Sequence, residues 1–233
     1  MKVQKVLFFA SYLILSPLSE VQAQVINFVE GQVYGTLAEA TLGWAFTVNE
    51  TQTYNYLGIW DETADGLEIP HEIGLWDSSE NLLATTTIAS GTDSIAAFPT
   101  TEPEGIFRWE RIAPVTLTPG ETYHLGAFYC TSDFCMPGGE YIGVDSWVSD
   151  ATASFDPNID SQDSTFISAR VLSFPPIGSI AGLSEQGNFG PNIAAAIPEP
   201  LTILGSMSTL LTMSYYRKTS RMKPKAKSNP LTK

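Results

Sequence analysis

The sequence predicts an all-β fold, a single β-sandwich of jelly-roll type, between two terminal segments of different character. Three observations carry this. Short runs rich in Val, Ile, Thr, Tyr, Phe and Trp recur along the middle of the chain, bounded by Gly, Pro, Asn, Asp and Ser. TYHLGAFY (122–129) alternates with period two, placing Tyr123, Leu125, Ala127 and Tyr129 on one face. No long stretch of helical period occurs between the two ends.

The runs follow in order. GWAFTVN (43–49) is the first, and a polar turn at Glu50 to Gln52 leads into TYNYLGIWD (53–61). HEIGLWD (71–77) sets His71, Ile73 and Leu75 against Glu72, Gly74 and Trp76. NLLATTTI (81–88), GIFRWERI (105–112), TYHLGAFY, EYIGVDSWV (140–148) and TFISARVLSF (165–174) complete the set. Pro119-Gly120 has the chemistry of a tight turn before TYHLGAFY, Pro presetting φ and Gly supplying a positive one. So many strands in the 174 residues of 24–197 suit a jelly-roll sandwich, with an eight-stranded barrel as the alternative.

Charge is segregated. The chain has 233 residues and a net charge of −13. Between residues 24 and 200 the only bases are Arg108, Arg111 and Arg170, against 24 acids. Lys2 and Lys5 stand at one end; Arg217, Lys218, Arg221, Lys223, Lys225, Lys227 and Lys233 stand at the other. An acidic body of this kind argues against a nucleic-acid partner. With only His71 and His124, a three-histidine zinc site is excluded.

Residues 1–23 read as a secretory signal peptide. Lys2 and Lys5 form its basic start, Val6 to Ser16 its apolar run, and Val21-Gln22-Ala23 a small-residue site for cleavage between Ala23 and Gln24. Export leads to an oxidising compartment, where Cys130 and Cys135 are expected to close the loop CTSDFC as a disulfide. In the chain-entropy view so short a loop stabilises by about 2 kcal/mol at most.

The C-terminal region has three parts in order. Pro198, Glu199 and Pro200 come first, with two prolines holding the backbone extended. Leu201 to Tyr216 follows without a charge, and Arg217, Lys218 and Arg221 close it. As a helix the apolar run would span roughly 24 Å, short for a bilayer core of about 30 Å. Tyr215 and Tyr216 suit a membrane interface, and the bases beyond them the cytoplasmic side.

This arrangement resembles the PEP-CTERM sorting signal of exported bacterial proteins. The resemblance implies a membrane processing enzyme of the exosortase type as partner, processing near Pro198 to Pro200, and delivery to the outer surface or extracellular matrix. The expected organisation is therefore signal peptide 1–23, β-sandwich 24–197, sorting and membrane segment 198–221 as a short hydrophobic helix, and a basic disordered tail 222–233. The body has a second resemblance, carried by His71 to Asp77, Leu82 to Ala84, Phe107-Arg108 and Leu117 to Tyr123. It is similar to an exported β-sandwich domain of unknown function found in cyanobacterial PEP-CTERM proteins, which implies a fold and a location but no activity.

Candidate chemistry is sparse. Asp61 to Gly66 concentrates oxygen ligands around a glycine turn, so Asp61 and Asp65 are candidate calcium ligands. Asp156 to Asp163 is a second acidic loop of the same kind. Trp44, Trp60, Trp76, Trp109 and Trp147 offer either core packing or a sugar-stacking surface. His71 and His124 read as satisfied strand histidines rather than metal ligands. No nucleophile elbow or phosphate-binding glycine loop is present. The sequence thus predicts a non-enzymatic exported surface or matrix protein, with extracellular polysaccharide as a further partner. A carbohydrate-binding module is the alternative, and a glycan-active hydrolase a more distant one.

Overall fold

The computed structural model describes residues 25–28, 30–35, 39–130, 145–149, 153–178 and 187–197. The signal segment 1–23, Gln24, Cys135, the segment 198–221 and the tail 222–233 lie outside the described residues. Among the described residues the fold is all-β, and no helix is long and apolar enough to cross a membrane.

The strands are β1 (Ile26–Phe28), β2 (Gln32–Gly35), β3 (Ala40–Val48), β4 (Gln52–Glu62), β5 (His71–Asp77), β6 (Leu82–Ile88), β7 (Ile95–Thr101), β8 (Glu104–Leu117), β9 (Thr122–Tyr129), β10 (Ser146–Ser149), β11 (Ala153–Phe155), β12 (Ile159–Ser168) and β13 (Pro191–Ala194). One sheet has the order β12-β3-β9-β5-β6 and a second the order β13-β4-β8-β7; β1 with β11 and β2 with β10 form two small ribbons. Every pairing is antiparallel.

Both larger sheets contribute to one apolar cluster. Leu42, Trp44 and Phe46 of β3, Ile73 and Leu75 of β5, and Leu125 and Tyr129 of β9 meet Leu57, Ile59 and Trp60 of β4 and Phe107 and Trp109 of β8. Full burial of each such side chain stabilises by roughly 1.5–3 kcal/mol. Three buried indoles find acceptors for their N–H groups, while Trp147 Nε1 has none among the described residues. Trp44 Nε1 donates to Pro191 O at 3.0 Å, tying β3 to β13 of the other sheet, and Trp60 Nε1 donates to Thr100 Oγ1 at 3.0 Å.

The five-stranded sheet is also covered on its outer face. Gly43, Gly126 and Gly74 lie side by side across β3, β9 and β5. The Trp76 indole lies over Gly74, and Pro175 lies over Gly126. The segment after β12 thus straps this face: Phe174 meets Trp76 edge-on with centroids 6.3 Å apart, and Ser173 N donates to Thr41 Oγ1 at 3.0 Å. A Cβ at Gly43 would collide with the carbonyl oxygen of Leu125, a backbone atom of the neighbouring strand. Gly43→Ala is therefore expected to cost about 3 kcal/mol, at the upper end for overpacking, read as a lower urea midpoint.

Several sequence boundaries need correction. TFISARVLSF overshoots, because β12 ends at Ser168 and the chain then turns into the strap. The same strand begins at Ile159, so Asp160 and Asp163, read as part of an acidic loop, sit on an edge strand paired with β3 through a bulge between Ser161 and Asp163. Only residues 146–148 of EYIGVDSWV are seen in a strand, β10, and residues 140–144 lie outside the described set.

Candidate functional site

The end of β4, its turn, and the residues before β10 frame an acidic cavity of about 160 Å³, lined by Asp61, Glu62, Thr63, Asp65, Gly66, Glu68, Asp145 and Ser146. Two buried pairs brace its walls.

The first is Asp61 with Arg108. Asp61 stands near the end of β4 and Arg108 on the adjacent β8, diagonal in register because Ile59 faces Arg108 and Asp61 faces Ile106. Both side chains are almost fully buried. Arg108 Nε and Nη2 each donate to Asp61 Oδ2 at 2.7 Å. The same guanidinium donates to Thr92 O at 3.1 Å and Ala64 O at 3.4 Å, and Gly66 N donates to Asp61 Oδ2 at 3.1 Å. The turn between reaches positive φ at Thr63, Ala64 and Gly66. Burial pushes the Asp61 carboxyl above the ordinary carboxylate range, while Arg108 and the Gly66 amide pull it down.

The second pair is His71 with Asp145. His71 opens β5 and is fully buried. Its Nδ1 lies 2.9 Å from Phe128 O and its Nε2 lies 2.8 Å from Asp145 Oδ2. Both partners are acceptors, so either ring N–H has a partner to donate to. Asp145 also accepts from Glu68 N at 2.9 Å and Ile69 N at 3.1 Å. It therefore fixes the turn entering β5 as well as the ring.

The two candidate calcium ligands have different surroundings: the Asp61 carboxylate faces inward to Arg108, whereas Asp65 Oδ1 accepts from Thr63 Oγ1 at 3.0 Å on the exposed turn. Among the described residues no group of three or more His, Cys, Asp or Glu is arranged to hold a metal ion. The five tryptophans are all buried, so none stands as a stacking platform for sugar.

The histidine expectation agrees with the structure. His124 is buried under the strap, its Nδ1 donating to Pro175 O at 2.9 Å and its ring 4.6 Å from the Phe174 centroid. Burial pushes its pKa below the ordinary 6.5, against the Pro175 carbonyl and the Glu80 charge. A lowered histidine pKa means that the unfolded chain binds the proton more readily. Its contribution is thus complete above 6.5 and is lost as pH falls below that value. Thermal melts between about pH 7 and 5 should fall more steeply for the native chain than for His124→Gln.

Cys130, at the end of β9, is buried beside Ile69 and Phe128 and is not a free thiol. Ala23, Gln24, Pro198, Glu199, Pro200, Arg217, Lys218 and Arg221 all fall outside the described residues. Asp145 escaped sequence reasoning because nothing local marks it. Arg108 carried a signal, being one of only three bases in a long acidic segment, on a run whose neighbours Phe107 and Trp109 are core residues.

No family model, curated protein or solved structure matches the chain.

Proposed function

We propose that this chain is an exported, non-enzymatic surface or extracellular-matrix protein whose acidic β-domain is delivered through a PEP-CTERM-type tail. One observation carries the reading: Pro198-Glu199-Pro200, an uncharged apolar run and a basic stop follow one another directly after the β-rich body. The signal-like residues 1–23 on the other side support it, and the pair Cys130 and Cys135 would suit an oxidising compartment as a disulfide.

Within this reading the two larger sheets form a sandwich of jelly-roll type. Strands β3, β4 and β5 alternate between sheets, and β8 and β9 return in reverse order to pair with β4 and β3. That nested pairing supports the double winding of a jelly roll. The hairpins β5–β6 and β7–β8 end the winding early. The titratable groups around the cavity support display over catalysis. Asp61, Asp145 and both ring nitrogens of His71 are engaged in holding the fold. Exosortase-type processing would then free the body from the membrane.

The test is intact mass of the protein from its own cells, with envelope and medium fractions measured separately. A product beginning at Gln24 and ending near Pro198 to Pro200 is expected. A product that keeps residues 201–233 in both fractions would overturn release by tail processing, and one that keeps residues 1–23 would overturn export by signal cleavage.

A further inference from the structure

The two larger sheets present four edges, and three of them carry a proline or a covering segment that hinders pairing with another chain. Along β12, the strap closes the edge: Phe166 N donates to Pro176 O at 3.2 Å and Gly178 N to Ser164 O at 3.0 Å. The β13 edge is four residues long, begins with Pro191, and receives Val25 N on Ile193 O at 3.1 Å. The β7 edge is broken by Pro99, by a register shift between Ala97 and Pro99, and by positive φ at Phe98. Proline, bulges, short length and a covering segment are the known ways of blunting an edge strand.

The β6 edge has only one of them, a bulge at Leu83 opposite the step from Leu75 to Trp76 of β5. It pairs with β5 on one side, and among the described residues no strand is hydrogen-bonded on the other. It leans on β8, with Ala84 and Ile88 against the core. Leu82 is 50% exposed and Leu83 37%, and Thr85 and Thr87 are also exposed. Residues 81–92 contain no proline and no charge. A neutral, β-branched edge without proline or charge is a template for strand addition.

We infer that β6 is a self-association edge, along which two copies of this chain pair antiparallel to join their five-stranded sheets. Charge identifies the occupant. The chain carries −13 overall, so most approaches between two copies bring carboxylates together. Along β6 two copies meet without like charges in the contact, and Thr and Leu pair across the junction. A basic foreign segment would find its complement on the acidic surfaces rather than here. Antiparallel pairing of one strand with its own copy is two-fold by construction, so the assembly closes at a dimer. This inference is independent of the export reading.

Sedimentation velocity of the full chain, over a wide concentration range, tests it. The native chain is expected to dimerise. Thr85→Glu with Thr87→Glu should weaken the dimer by at least about tenfold, since opposed like charges disfavour cross-strand pairs, while Thr85→Ser with Thr87→Ser leaves it intact. Circular dichroism melts check that the variants fold. Leu83→Glu, at an exposed position, gives the same readout should the double variant fold poorly. A native chain that stays monomeric throughout would overturn the inference. So would association that the glutamate variants leave unchanged, which would assign it to another surface such as the apolar segment 201–216.

Discussion

Arg108→Met should cost about 3–5 kcal/mol of stability, the range for removing one partner of a buried ion pair. The cause is what remains behind. Asp61 is 1% exposed, and without the guanidinium it keeps only the Gly66 amide as a donor. The carbonyls of Thr92 and Ala64 lose their partner as well, so the β4 turn loosens from β8. Urea unfolding of the variant reads the cost directly. A double variant with Asp61→Asn is expected to recover much of it, because the neutral amide oxygen still accepts from Gly66 N. The pH dependence is a second check. Burial already raises the Asp61 carboxyl, and Arg108 supplies the two largest opposing effects. Removing it raises the folded-state pKa further, so protonation favours the folded variant. The deficit should therefore shrink as pH falls into the carboxylate range and grow as pH rises out of it. A deficit below about 1 kcal/mol, the level of a surface pair, would show that the contact is not what holds this turn.

The elements that the sequence announced most clearly are those where alternation and turn chemistry agree. HEIGLWD and TYHLGAFY coincide with β5 and β9 to the residue, the latter preceded by the Pro119-Gly120 turn with Gly120 at positive φ. Strands β1, β2 and β11 are three or four residues long and owe their pairing to distant segments, so no local pattern marks them. Strand β7 contains Pro99, which reads as an interruption, and Pro191 with Asn192 in β13 reads as a turn. Strand β12 was hidden in its first half by Asp160, Ser161, Gln162 and Asp163, polar because they lie along an edge. For the site, residue type was legible and pairing was not. Arg108 needed a carboxylate, but 24 acids were available between residues 24 and 200. Only the β4–β8 register selects Asp61, and only the tertiary fold brings Asp145 to His71, 74 positions away.

That distance gives Asp145 a larger role than its single charge suggests. Asp145→Ala removes the acceptor for three donors at once: Glu68 N, Ile69 N and His71 Nε2. Each buried donor left unmet costs about 1–3 kcal/mol, so a loss of about 3–5 kcal/mol is expected, close to that for Arg108→Met. Asp145→Asn keeps one oxygen for the backbone amides but turns either that oxygen or an N–H₂ toward the ring, and should fall between. A simple loss of packing would predict that His71→Ala and Asp145→Ala add. The geometry predicts otherwise, since each variant alone strands the other partner in a buried site. The double variant should then be less destabilised than the sum of the singles, by more than about 1 kcal/mol for groups sharing one hydrogen-bond network. Additive losses would mean that the ring and the carboxylate act separately. Coupled losses would mean that the turn into β5, the end of β9 at Phe128, and the start of β10 unfold together. In that case the acidic cavity between them exists only while this pair is intact.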